Sequence, residues 1–117
     1  MGGDPRPVQR YKFKALVALD LPENGSRAPL PVGRSRRMAV RGRHRQTRSI
    51  KSFSAMVTNN GPRSPRWKER HVLLTVVITG EDAPDYFGIG NSLAVWLGGD
   101  IGHGIVTRSL SPWPTPG

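Results

Sequence analysis

The chain contains no cysteine among its 117 residues. Disulfide staples, thiolate metal sites and a cysteine nucleophile are therefore excluded. Aromatic residues are scarce at 7%, and Leu, Ile, Val and Phe together number 27. That apolar content lies just above the level at which a highly charged chain stays unfolded, so the sequence supports one small core and one domain. No apolar run approaches the ~20 residues of a membrane-spanning helix. The opening residues, Met1 to Arg6, lead into Tyr11 without an apolar stretch. A secretory signal is not expected, Asn24-Gly25-Ser26 reads as a turn, and the cytoplasm is the expected location. Acid is missing over a long span as well, with none between Glu23 and Glu69.

What fills that span is positive charge. The chain has 18 Lys and Arg against 8 Asp and Glu, a net charge of +10. The imbalance is local: residues 1–70 hold 17 of the cations and residues 71–117 only one. A field this lopsided favours polyanions, nucleic acid first and an anionic membrane surface second.

Period-two alternation marks the secondary structure. Phe13, Ala15, Val17 and Leu19 share one parity while Lys12 and Lys14 take the other, which predicts a half-buried strand over 11–19. Further strands are predicted over 36–42, 50–58, 71–79, 93–97 and 103–110. The 71–79 run, HVLLTVVIT, is the most hydrophobic and reads as a central strand. Pro29, Pro31 and Gly33 punctuate a loop; the 59–68 run, NNGPRSPRWK, and residues 80–92 read as long loops. The first ten residues and the Pro-rich 111–117 tail are expected to be disordered termini. No segment of ten residues shows helical periodicity. Six short strands joined by Gly- and Pro-rich loops predict an all-β domain over 11–110, a barrel or a sandwich.

Catalytic signatures are absent. There is no phosphate-binding Gly-rich loop and no nucleophile elbow around Ser35 or Ser92. His44, His71 and His103 have no ligand spacing, so no metal is expected. The late glycines, 88, 90, 98, 99, 102 and 104, read as turns and a bulge. Glu81, Asp82 and Asp85 share one turn-rich loop and read as solvated charge rather than an acid–base pair. The expectation is a protein that is not an enzyme and needs no cofactor.

The strongest constellation is Arg34, Arg36, Arg37, Arg41, Arg43, Arg45, Arg48 and Lys51, eight cations in 18 residues. Seven are arginine, whose planar guanidinium matches phosphate oxygens two at a time. Arg37 and Arg41 fall on the outward parity of the second strand and the later members on the loop after it. Trp67, flanked by Arg66 and Lys68, is the candidate for stacking on a base. Six phosphate contacts from this cluster would give a slope of log K on log salt of about −5 on duplex. A solvated basic face and a basic protein-binding patch are the competing readings.

Two segments carry a resemblance. Residues 12–19, KFKALVAL, look like the opening strand of the C-terminal (third) domain of elongation factor Tu, with Pro29, Gly33 and Arg41 at matching places after it. Leu93 to Val106, LAVWLGGDIGHGIV, is similar to that family's Phe-Ala-Ile-Arg-Glu-Gly-Gly-Arg-Thr-Val-Gly-Ala-Gly-Val-Val. The resemblance spans residues 11–110 and implies a six-stranded antiparallel Greek-key β-barrel that does no chemistry and helps hold the T-stem of tRNA. Gly98 and Gly99 match the family turn. Trp96-Leu97 stands in place of its Arg-Glu, Asp100 in place of its next Arg, and Arg34-Ser35-Arg36-Arg37 in place of its Tyr-Arg-Pro-Gln. The expected function is therefore non-catalytic binding of tRNA-like RNA, in preference to DNA, by a free-standing translation-factor-type barrel through the arginine cluster. The alternative is a protein-interaction module, with a translation-associated partner, docking through the apolar 93–97 strand, with Trp96 and Leu97 as its patch, and the 98–104 turn.

Overall fold

The computed structural model describes residues 10–19, 31–62 and 71–110. Trp67, the N-terminal arm through residue 9 and the 111–117 tail lie outside the described residues. Six strands form: β1 (Arg10–Leu19), β2 (Ser35–Arg43), β3 (Ile50–Pro62), β4 (His71–Thr79), β5 (Ser92–Trp96) and β6 (Asp100–Ser109). They close into a barrel in the order β1-β4-β3-β2-β5-β6, with every neighbouring pair antiparallel. Successive strands β2, β3 and β4 lie side by side and β1 returns beside β4, the Greek-key arrangement. Among the described residues no helix is long and apolar enough to cross a membrane.

Alternation explains the closure. Each strand turns one parity inward: Phe13, Ala15 and Val17 from β1, Met38 and Val40 from β2, Phe53, Ala55 and Val57 from β3. Leu74, Val76 and Ile78 of β4, Leu93 and Val95 of β5 and Val106 of β6 complete the core. Burying each of these side chains other than the alanines contributes roughly 1.5–3 kcal/mol. One end of the barrel is plugged by α1 (Ala83–Tyr86) and the residue after it. Phe87 stacks on Phe13 at 5.1 Å and meets Phe53 edge-on at 5.3 Å. The Tyr11 hydroxyl donates to the Phe87 carbonyl at 2.9 Å. Gly42 leaves room for this plug, since a Cβ there would lie 2.7 Å from the Phe87 ring.

Three expectations are corrected. Residues 59–62 belong to β3 rather than to the loop read over 59–68. The strand continues through a register shift between Asn59 and Pro62, and Gly61 takes φ +94 there. Buried Asn59 accepts the Gly61 N–H on its side-chain oxygen at 2.8 Å, so the turn-like composition closes a bulge. Residues 80–92 are not all loop, because α1 lies within them. Finally, β6 begins at Asp100, so Gly102 and Gly104 are strand residues rather than turns. At Gly104 a Cβ would collide with the Leu16 carbonyl of β1, so the close approach of β1 and β6 requires glycine there.

Candidate nucleic-acid interface

The inward parity of β2 is Met38, Val40 and Gly42, so Arg37, Ala39, Arg41 and Arg43 must face outward. Two residues along a strand advance about 6.6 Å. Arg41 and Arg43 therefore sit about one such step apart and Arg37 about two steps from Arg41. The register partners on β3 are Met56 for Arg37, Ser52 for Arg41 and Ile50 for Arg43, and both Met56 and Ile50 are exposed. On the β3 side Ser54 accepts from Arg37 Nη1 and Ser52 from Arg41 Nε, each at 3.3 Å. On the β5 side Trp96 is the register partner of Ala39, and Ala94 that of Arg41. Trp96 remains 37% exposed, and the Arg41 guanidinium lies 5.8 Å from its ring centroid. The result is a face from which three guanidinium groups, two exposed apolar side chains and one indole project.

The β2–β3 hairpin extends this face. His44 N–H donates to the Ser49 carbonyl and Arg48 N–H to the His44 carbonyl, both at 2.8 Å. His44 Nδ1 accepts the Gln46 and Thr47 N–H groups at 3.1 and 3.2 Å, which leaves the ring proton on Nε2. The imidazole packs edge-on to Tyr86 at 5.1 Å, and the Arg45 N–H reaches the Asp85 carbonyl at 3.2 Å. The polar loop is thus tied to the barrel plug. Arg48 takes φ +63, a left-handed conformation that a non-glycine residue adopts at a cost of roughly 1–2 kcal/mol.

Twelve Lys and Arg but only four Asp and Glu fall among the described residues, and three of the acids lie at 81–85 beside α1. Lys51 is drawn to them. Its Nζ lies 2.6 Å from Asp82 Oδ2 and 5.0 Å from the Phe53 ring centroid. The hydrogen bond from Lys51 holds the Asp82 carboxyl below its usual 3.8, and the reciprocal bond raises Lys51 above 10.5. Among the described residues Arg37, Arg41, Arg43, Arg45 and Arg48 make no ion pair.

The sequence cluster is therefore divided in space. Arg37, Arg41 and Arg43 share the outer face of β2, and Arg45 and Arg48 continue it on the hairpin. Arg34 and Arg36 lie at the other end of β2, where the Arg34 carbonyl accepts from Asn59 N–H and Arg36 pairs in register with Val57. Lys51 stands apart with Asp82. Leu93 and Val95 point into the core and Leu97 packs against it, so Trp96 is the outward aromatic of the 93–97 segment. Gly98 forms the turn after β5 with φ +72, and the Leu97 N–H bonds the Gly99 carbonyl across it. Sequence reasoning kept Trp96 and the arginines in separate proposals, because 55 residues part Trp96 from Arg41. Only the adjacency of β2 and β5 unites them, and no local signal announces it.

The chain matches no family model, no curated protein and no solved structure.

Among the described residues no three His, Asp or Glu gather as a metal site would require. Five guanidinium groups with no carboxylate partner offer forked donors to phosphate oxygens, and the indole offers a ring to a base.

Proposed function

We propose that this chain binds RNA without catalysis, as a translation-factor-type β-barrel, through the outer face of β2 and the hairpin that follows it. The observation that carries the reading is the set of outward arginines at 37, 41 and 43 without an ion-pair partner, with Arg41 beside Trp96. Guanidinium groups left unpaired on a folded surface repel one another, and a polyphosphate backbone relieves that repulsion by releasing its counterions. Trp96 adds a stacking surface that every base can use, and Arg41 beside the ring joins base contact to phosphate contact. The closed six-stranded Greek-key barrel is the architecture that the resemblance to the elongation factor domain implies, and RNA is the polyanion that resemblance favours. The family's own tRNA contacts are not carried over, since its Arg-Glu pair is Trp96-Leu97 here.

Fluorescence anisotropy with bulk tRNA, a single-stranded RNA and a DNA duplex, each at roughly 50 and 200 mM salt, tests the reading. Five phosphate contacts give an expected slope of about −3.5 on single strands and about −4.5 on duplex. RNA should bind more tightly than DNA. Affinity that is unchanged in R37A/R41A defeats the proposal. Binding of a protein partner that survives about 0.5 M salt, where phosphate contacts are largely lost, would instead favour docking at Trp96.

A further inference from the structure

Where β2 ends, the hairpin folds back to form a depression of about 220 Å³ lined by Arg43, His44, Arg45, Arg48, Asn91 and Ser92. Its composition is one-sided: three guanidinium groups, an imidazole, an amide and a hydroxyl, and no carboxylate. Two features here oppose stability. Three arginines line one small concavity, and Arg48 holds the left-handed backbone conformation that glycine would adopt freely. Among the described residues the fold draws no side-chain hydrogen bond or ion pair from Arg43, Arg45 or Arg48 in return. Yet the loop that carries them is tightly built. It is closed by the His44–Ser49 and Arg48–His44 backbone bonds, braced by His44 Nδ1 and pinned to α1 through the Asp85 carbonyl.

We infer that this depression is a preformed phosphoryl-binding cup, in which Arg43, Arg45 and Arg48 surround one phosphate of the bound RNA. The inference deepens the reading of the β2 face as an RNA-binding surface and rests on it for the nature of the polymer. A guanidinium matches two phosphate oxygens at once, so three arginines lining one concavity suit a tetrahedral oxyanion. Asn91 and Ser92 supply a neutral rim; the Asn91 amide is oriented by its bond to the Tyr86 carbonyl at 3.2 Å. Arg43 and Ser92 also border a second, larger groove of about 320 Å³ that runs past Ala94 and Gly104 to Arg41 and carries one carboxylate, Asp100. Arg41 in turn lies over Trp96. A strand whose phosphate sits in the cup is thereby led across the groove towards the indole. Two sources supply such a phosphate, a terminal monoester or an internal diester of the strand, and the test separates them.

The test uses the whole chain. R48G removes one guanidinium while relieving the backbone strain, so its Tm is expected to be unchanged or a few degrees higher. Inorganic phosphate is titrated at constant ionic strength while the amide resonances of residues 43–49, 91 and 92 are followed. Saturable shifts in the wild type, weakened about fivefold in R48G and absent in R45A/R48G, are expected. Shifts that persist unaltered in R45A/R48G overturn the cup. Single-stranded RNA of one sequence is then bound with a 5′-phosphate, a 3′-phosphate or hydroxyls at both ends. A preference of several-fold for one phosphorylated end, lost in R45A/R48G, assigns a terminal monoester. Equal affinity for all three, lowered at least tenfold in R45A/R48G, assigns an internal diester. If R45A/R48G binds all three as the wild type does while R37A/R41A is weakened, the cup fails and the β2 face stands. If neither variant is weakened, the face fails as well.

Discussion

The two arms of the β2–β3 hairpin carry the same sign of charge to opposite ends. On the β2 arm, Arg37, Arg41 and Arg43 project outward and make no ion pair among the described residues. On the β3 arm, Lys51 turns to the barrel plug and spends its charge on Asp82. One strand step in parity decides the difference. Arg41 and Ser52 are register partners on the outer face, whereas Lys51 pairs with Gly42 on the parity that leads to the plug and its acids. A cluster that looks uniform along the chain is thus a group without ion pairs on one arm and an ion-paired lysine on the other.

The largest test of that contrast removes the unpaired arm. R37A/R41A/R43A should weaken RNA binding by on the order of 100-fold at low salt and flatten the salt slope by about 2–3, whereas K51A should leave both unchanged. Isothermal titration at several salt concentrations reads both. Next is the aromatic. W96A should lower affinity for single-stranded RNA by roughly 10-fold and leave a duplex almost untouched, since stacking contributes about 1–3 kcal/mol per base. Equal losses on both nucleic acids would show that Trp96 acts on Arg41 rather than on a base. A smaller effect comes from making the β2 arm resemble the β3 arm. S52D sets a carboxylate opposite Arg41 and should weaken RNA binding several-fold, with at most about 1 kcal/mol of added stability by chemical denaturation.

The smallest effect lies in the ion pair itself. Because Asp82 is held below 3.8, its contribution is complete above that value and is lost as pH falls through its folded pKa. Because Lys51 is raised above 10.5, its share is complete below 10.5 and is lost as pH rises through its own folded pKa. D82N should therefore melt slightly below the wild type near neutrality, and the two melting curves should converge in strong acid. RNA affinity at pH 7 should be the same for both.

The strands were legible where burial on one face enforces alternation, as in Phe13-Ala15-Val17 and Leu74-Val76-Ile78. They were illegible where composition imitates a turn. Asn59-Asn60-Gly61-Pro62 reads as a loop, yet Asn59 is buried and satisfies a bulge. The plug was hidden for a different reason. Four residues of helix are too few for a 3.6-residue period to appear, so residues 80–92 read as loop although Tyr86 and Phe87 within them are buried. At the site, residue type was legible and grouping was not. Arginine bias pointed to phosphate, but which arginines share a surface, and that Trp96 joins them, depends on strand order across the Greek key.

Closure of the barrel has a consequence for recognition. With β3 on one side and β5 on the other, β2 offers no open edge, so an extended peptide cannot be captured there by adding a strand. Recognition on this wall is left to the outward side chains. Those side chains can be exchanged one at a time without disturbing a main-chain pairing. The wall is in that sense a keyboard on a fixed frame: its specificity can be rewritten by substitution while the scaffold stays as it is.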